Sequence, residues 1–174
     1  MTFTKSALSA ILPLVFIAGL PSNATAGGVN LPFKATLTTL EYLQPTALTP
    51  GSGCDPFPLS AISIGVGNAS HLGRVAVVAT DCVAPFENQF LFQRGRIVFT
   101  AANGDSLVAS YQGAFVPVNY PTYTLNGATF TIVGGTGRFK TATGGGELRG
   151  TEQISADPAV PSRGALEATG TISY

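Results

Sequence analysis

Glu152, in "GELRGTEQIS", shares alternate-residue parity with Leu148 and Ile154, so on a strand its carboxyl faces the apolar side. Desolvation there raises a carboxyl pKa. Unpaired in a cavity, Glu152 is a candidate general acid or base. Paired with Arg138 or Arg149 it is a structural ion pair, and the sequence favours the pair. A bulge at Gly150 would reverse the parity. Tyr111 and Tyr174 also fall on inward-looking faces. With Arg138 they are the candidate ligand-binding residues, although inward tyrosines are more often core.

His71, in "GNASHLGR", is the only histidine. Its neighbour Ser70 does not make a nucleophile–base pair with it, because adjacent strand residues point to opposite faces. No G-x-S-x-G elbow presents a serine. A surface or turn histidine is the expectation. Asn68-Ala69-Ser70 fits the N-glycosylation pattern, which matters only in a eukaryotic source.

Thr131 to Gly146, "TIVGGTGRFKTATGGG", holds six glycines in sixteen residues. A dinucleotide site would need this segment to open a helix within a βαβ unit. The closing glycine is missing, "KTATGGGELRG" is a poor helix, and the remaining residues read as two strands. The P-loop pattern is absent too. Gly134, Gly135, Gly137 and Gly144 are therefore structural turn residues at a corner of a sheet. Phe139 becomes an apolar plug and Arg138 a cation that snorkels or pairs.

Cys54 and Cys82 are the only cysteines, and an even count in an exported chain favours one disulfide. Such a bridge stabilises by about 3 kcal/mol on the chain-entropy model. Two cysteines and one histidine do not complete a zinc site without distant carboxylates, and neither a metal nor a cofactor is expected.

The elements that must position these residues follow an export leader. Lys5 precedes an uncharged stretch from Ala7 to Leu20, and Ala24-Thr25-Ala26 supplies the small residues of a cleavage site. Residues 1–26 are read as a signal peptide cleaved after Ala26, and 27–174 as one domain, secreted or periplasmic. With Lys5 removed, eight basic side chains face nine acidic ones, a net charge of −1 without a basic stripe. Nucleic acid is not an expected partner, and no later segment is long and apolar enough to span a membrane as a helix.

Helical periodicity is missing from this domain, and alternation with β-branched and aromatic residues replaces it. Strands are expected over Phe33–Tyr42, in "AISIGVG" and "LGRVAVVATDCV", over Arg96–Thr100 and Ser106–Gln112, and in "ATFTIVGG", "GELRGTEQIS" and "ALEATGTISY". Asn103-Gly104 is a hairpin signal, and a second turn is expected over "VPVNYPTYTLNG", containing Asn126-Gly127. Seven or eight strands at this spacing predict an all-β barrel or sandwich.

"IVGGTGRFKTATGGGELRGT", with "FTAANGDSL" before it and "GTISY" after it, resembles the allene oxide cyclase-like and dirigent-like barrel superfamily. Plant dirigent proteins and many small exported bacterial proteins belong to it. The resemblance is sharpest over Ile132–Gly146 and extends from Phe86 to the end. It implies a single antiparallel eight-stranded β-barrel in which the glycine segment is a strand–turn–strand element. It marks the fold and transfers no catalytic residue to this chain. Homo-oligomers occur in the family, and this sequence leaves that open.

Three functions follow. The leading one is a small exported barrel that binds a small apolar or aromatic molecule in a cavity of about 300 Å3 or more. The second is a cyclase- or dirigent-type enzyme guiding a reactive intermediate, which needs an unpaired ionisable group in that cavity. The third is a structural or interaction protein with a filled barrel and an exposed apolar patch.

Overall fold

A computed structural model describes residues 29–174; the leader predicted over 1–26 lies outside the described residues. Eight strands run in chain order: β1 (Leu31–Pro45), β2 (Leu59–Ala69), β3 (Gly73–Phe86), β4 (Gln89–Ala101), β5 (Ser106–Asn119), β6 (Thr122–Gly135), β7 (Thr143–Gln153) and β8 (Ser162–Ser173). Each pairs antiparallel with the next. β1 closes on β8, from Leu31↔Ile172 to Glu41↔Ser162. The result is a closed barrel without a free edge, the architecture that the resemblance implied.

Strand alternation sorts the side chains. On β1, Phe33, Ala35, Leu37, Thr39 and Glu41 point inward and are buried, while Pro32, Lys34, Thr36 and Thr38 are exposed. The interior holds two apolar clusters. The larger includes Phe33, Phe99, Leu107, Phe130, Phe139 and Ile172. The smaller comprises Ala61, Val83, Phe92, Phe115 and Ala128, and Tyr111 and Leu148 pack against both.

The glycine-rich stretch is a corner of the barrel wall. β6 ends at Gly135, a single 3-10 turn spans Gly137–Phe139, and β7 begins at Thr143. Gly134, Gly137 and Gly144 have φ of 125°, 55° and 143°, conformations that favour glycine. Phe139, only 1% exposed, plugs this barrel end.

Asn103-Gly104 forms the β4–β5 turn, as expected. The second Asn-Gly does not form a turn. The chain reverses at Tyr120-Pro121, and Asn126-Gly127 lies inside β6, where the pairing with β5 and β7 slips. Gly127, at φ 58°, makes a bulge there: positive φ serves either device, and tertiary pairing selects between them.

Cys54 and Cys82 form a disulfide. It ties the long β1–β2 connection to the outer face of β3. No helix among the described residues is long and apolar enough to cross a membrane.

Candidate functional site

Between the two apolar clusters lies a layer of a different kind. Four alternate strands each contribute one ionisable side chain to it: Glu41 from β1, Asp81 from β3, Tyr111 from β5 and Glu152 from β7. All four line one interior cavity of about 60 Å3, together with Thr39, Ser63 and apolar side chains such as Phe92, Phe130 and Leu166. Room for the layer is made by glycine. A Cβ on Gly95 would stand 2.6 Å from the Tyr111 ring, and one on Gly164 would collide with the Thr39 hydroxyl and crowd Glu152.

The hydrogen bonding inside the layer is incomplete. Ser63 Oγ donates to Glu41 Oε2 at 2.8 Å, and Tyr111 donates its hydroxyl proton to Asp81 Oδ2 at 2.8 Å. Asp81 Oδ1 and Glu152 Oε1 are buried without a hydrogen-bond partner. Every lysine and arginine among the described residues is exposed, so no cation offsets the three acids. Nor are the acids grouped as a metal-binding set among the described residues.

Protonation follows from this. Burial, then the charge of Glu152, push Glu41 up to about 8 against the opposing Ser63 hydrogen bond. Burial, then the charge of Glu41, push Asp81 up to about 8 despite the Tyr111 hydrogen bond. Burial, then the charge of Asp81, raise Glu152 to about 7, with Glu41 and Ser162 nearby opposing the rise. Tyr111 is raised well above the ordinary phenol range, by burial first and then by Asp81. Burial and mutual charge thus hold all three carboxyls above the ordinary carboxylate range, so the layer keeps carboxyl protons at a pH where exposed acids have lost theirs.

Glu152 is the predicted site residue that the structure brings into this layer, together with Tyr111. The expected ion pair is not made. Arg149 lies on the outer face bonded to Glu147 at 2.9 Å, and Arg138 donates to the His71 carbonyl. Gly150 keeps its register between Leu148↔Ala168 and Glu152↔Gly164, so the inward parity of Glu152 survives. Arg138 and Tyr174 stand apart from the cavity, at the plugged end. The Arg138 guanidinium lies over the Phe139 and Tyr174 rings at 4.9 and 5.7 Å, and Tyr174 is 39% exposed. His71 occupies the β2–β3 turn at φ 68° and bonds the Pro32 carbonyl at 2.9 Å.

Glu41 and Asp81 escaped the sequence reading. Glu41 had a visible signal, because it shares parity with Phe33 and Leu37. Asp81 had less, since Val75, Ala76, Val77 and Val78 make both faces of β3 apolar. The expected cavity volume is also corrected. Large inward side chains such as Phe92, Phe99, Phe115 and Phe130 fill the barrel and leave about 60 Å3.

The fold and site define a closed eight-stranded antiparallel barrel with an acid layer at its centre. No family model and no curated protein matches the chain. Among solved structures it is similar to the pterocarpan synthase dirigent protein GePTS1, at 14% identity and a TM-score of 0.45, over 83% of this chain and 86% of that one.

Proposed function

We propose that the barrel takes a small, uncharged, largely apolar molecule bearing a proton-accepting group, and that the acid layer transfers protons to and from it. The observation that carries this reading is the set of three buried carboxyls without a counter-cation, two of them with an unpartnered oxygen beside the cavity. Unpartnered buried oxygens are costly in a purely structural core. An anionic ligand would meet repulsion from the acids, whereas a carbonyl or ether oxygen accepts a hydrogen bond from a protonated carboxyl. The small volume holds the reactive end of such a molecule. For its body to enter, the half-buried Leu43, Phe90, Tyr123 and Leu125, which pack against the smaller cluster, must part. The reading belongs to the cyclase- or dirigent-type chemistry that the resemblance implied.

Acetophenone tests it. In D2O at pH 7.5 the wild-type protein is expected to accelerate deuterium exchange of the ketone methyl group, with Glu152→Gln slower by at least about tenfold. Benzoate is expected to leave the Asp81 and Glu152 carboxyl NMR signals unmoved while acetophenone shifts them. A wild type that neither binds nor exchanges acetophenone sinks the reading.

The outer wall favours a second role. Leu40, Ile64, Val78 and Val98 are register neighbours across β1 to β4 and point outward, with Ile62 and Val66 beside them. Val66 is 64% exposed, and β2 carries no charged side chain. We infer that a second copy of the chain covers this row. Sedimentation is expected to give a mass above the monomer that Ile64→Lys returns to the monomer; a monomeric wild type rules it out.

A further inference from the structure

Asp81 has an outer side as well as an inner one. It lines the interior cavity, and it also lines a groove of about 490 Å3 outside the barrel, beneath the β1–β2 connection. At this point the wall is irregular. Thr80 pairs with Arg96 and Cys82 with Gln93, so the β3–β4 ladder slips by one residue beside Asp81. Bulged pairing interrupts the backbone hydrogen bonds that elsewhere seal a barrel wall.

The segment 46–58 covers this weak point and is fastened around it from three sides. The Cys54–Cys82 disulfide attaches it to the residue next to Asp81, and the Cys54 sulfur lies 3.5 Å from the Asp81 carbonyl oxygen. Arg94, in the β4 bulge, donates from Nη1 to the carbonyls of Gly53 at 2.6 Å and Asp55 at 3.1 Å. Its guanidinium lies 5.2 Å from the centre of the Phe57 ring. Thr46 N–H donates to the Pro58 carbonyl at 2.9 Å, closing the segment on itself, and Thr49 Oγ1 lies 2.8 Å from Ser60 Oγ at the start of β2. Arg94 holds φ 54°, a conformation a non-glycine residue adopts at a cost. That conformation directs its side chain along the outer wall to the segment.

We propose that the stapled segment 46–58 is the outer half of the acid site, with Cys54–Cys82 and Arg94 as positioning residues that hold the bulged wall closed and keep the Asp81 carboxyl turned to the interior. The disulfide then does more than add stability to the barrel: it sets the environment of one carboxyl. The inference rests on the acid-site reading for its functional consequence, but its test does not depend on any activity.

The experiment is a carboxyl-detected NMR titration of the protein, comparing wild type with Cys54→Ser/Cys82→Ser and with Arg94→Ala. Asp81 in the wild type is expected to titrate near 8. In the double variant the bulged wall is free to open toward the groove, and the midpoint is expected to fall by about one pH unit or more. Arg94→Ala, which keeps the disulfide, is expected to shift it in the same direction by about half as much. Glu41 and Glu152 are expected to move less, because neither lines the outer groove. If the double variant loses the dispersed methyl signals of Leu107 and Ile172, Arg94→Ala alone decides. A raised Asp81 midpoint that is indifferent to the staple in folded protein overturns the positioning role. An Asp81 that titrates in the ordinary range in wild type overturns the acid-site reading instead.

Discussion

The two halves of the barrel interior solve the problem of filling space differently. The plugged half packs Phe33, Leu107, Phe139 and Ile172 almost completely out of water, with Phe33 between the Phe99 and Phe130 rings at centroid distances of 6.2 and 5.6 Å. The adjoining layer buries Glu41, Asp81 and Glu152 nearly as deeply, yet leaves a cavity and two unpaired oxygens among them. Packing in the first half contributes stability, while the second half sacrifices some of it at ordinary pH. That difference is expected when one region holds the fold and another holds a site.

Breaking the plugged half has the largest expected effect. Phe139→Ala removes a fully buried ring from the barrel end and should lower stability by about 3–5 kcal/mol in denaturant unfolding. The carboxyl titrations should not move, since Phe139 does not line the acid cavity. A changed Glu152 midpoint in this variant would show that the halves are not independent.

The acid layer predicts the pH dependence. Glu41, Asp81 and Glu152 all titrate higher folded than unfolded, near 8, 8 and 7 against ordinary values of 4.5, 3.8 and 4.5. The folded chain therefore holds more protons between those limits, and its stability falls as pH rises. The contribution is fully present below about pH 4 and is lost through about pH 8, so the denaturant midpoint should be clearly lower at pH 8.5 than at pH 5. Stability that rises with pH over this range would remove the basis for the layer.

The smallest effect sharpens the assignment. Glu152→Gln keeps the shape of the side chain and removes one titration. It should leave stability at pH 5 within about 1 kcal/mol of wild type and flatten the loss at pH 8.5. A variant equally sensitive to pH would place the titration on Glu41 and Asp81 alone.

Legibility in the sequence was uneven for a physical reason. Strand alternation is local, so the inward parity of Glu152 with Leu148, and of Tyr111 with Leu107 and Ala109, could be read from spacing alone. Asn126-Gly127 could not be resolved in this way, because its backbone preference fits a turn and a bulge equally. The ion pair expected of Glu152 failed on two grounds, one of them, the parity of Arg149, already local. Arg149 is on the opposite parity of its own strand, and Arg138 belongs to a corner that closes the far end. Nothing local states which strands lie opposite one another.

By itself the sequence determined the β class and most of the strands, the glycine corner, the single disulfide available to two cysteines and the inward face of side chains such as Glu152 and Tyr111. These depend on near-neighbour sterics and on pairing between only two partners. Tertiary structure alone decided that Glu41, Asp81, Tyr111 and Glu152 occupy one level of the barrel, because level depends on closure and register across all eight strands. It also decided their protonation, since desolvation exists only once the other strands have excluded water.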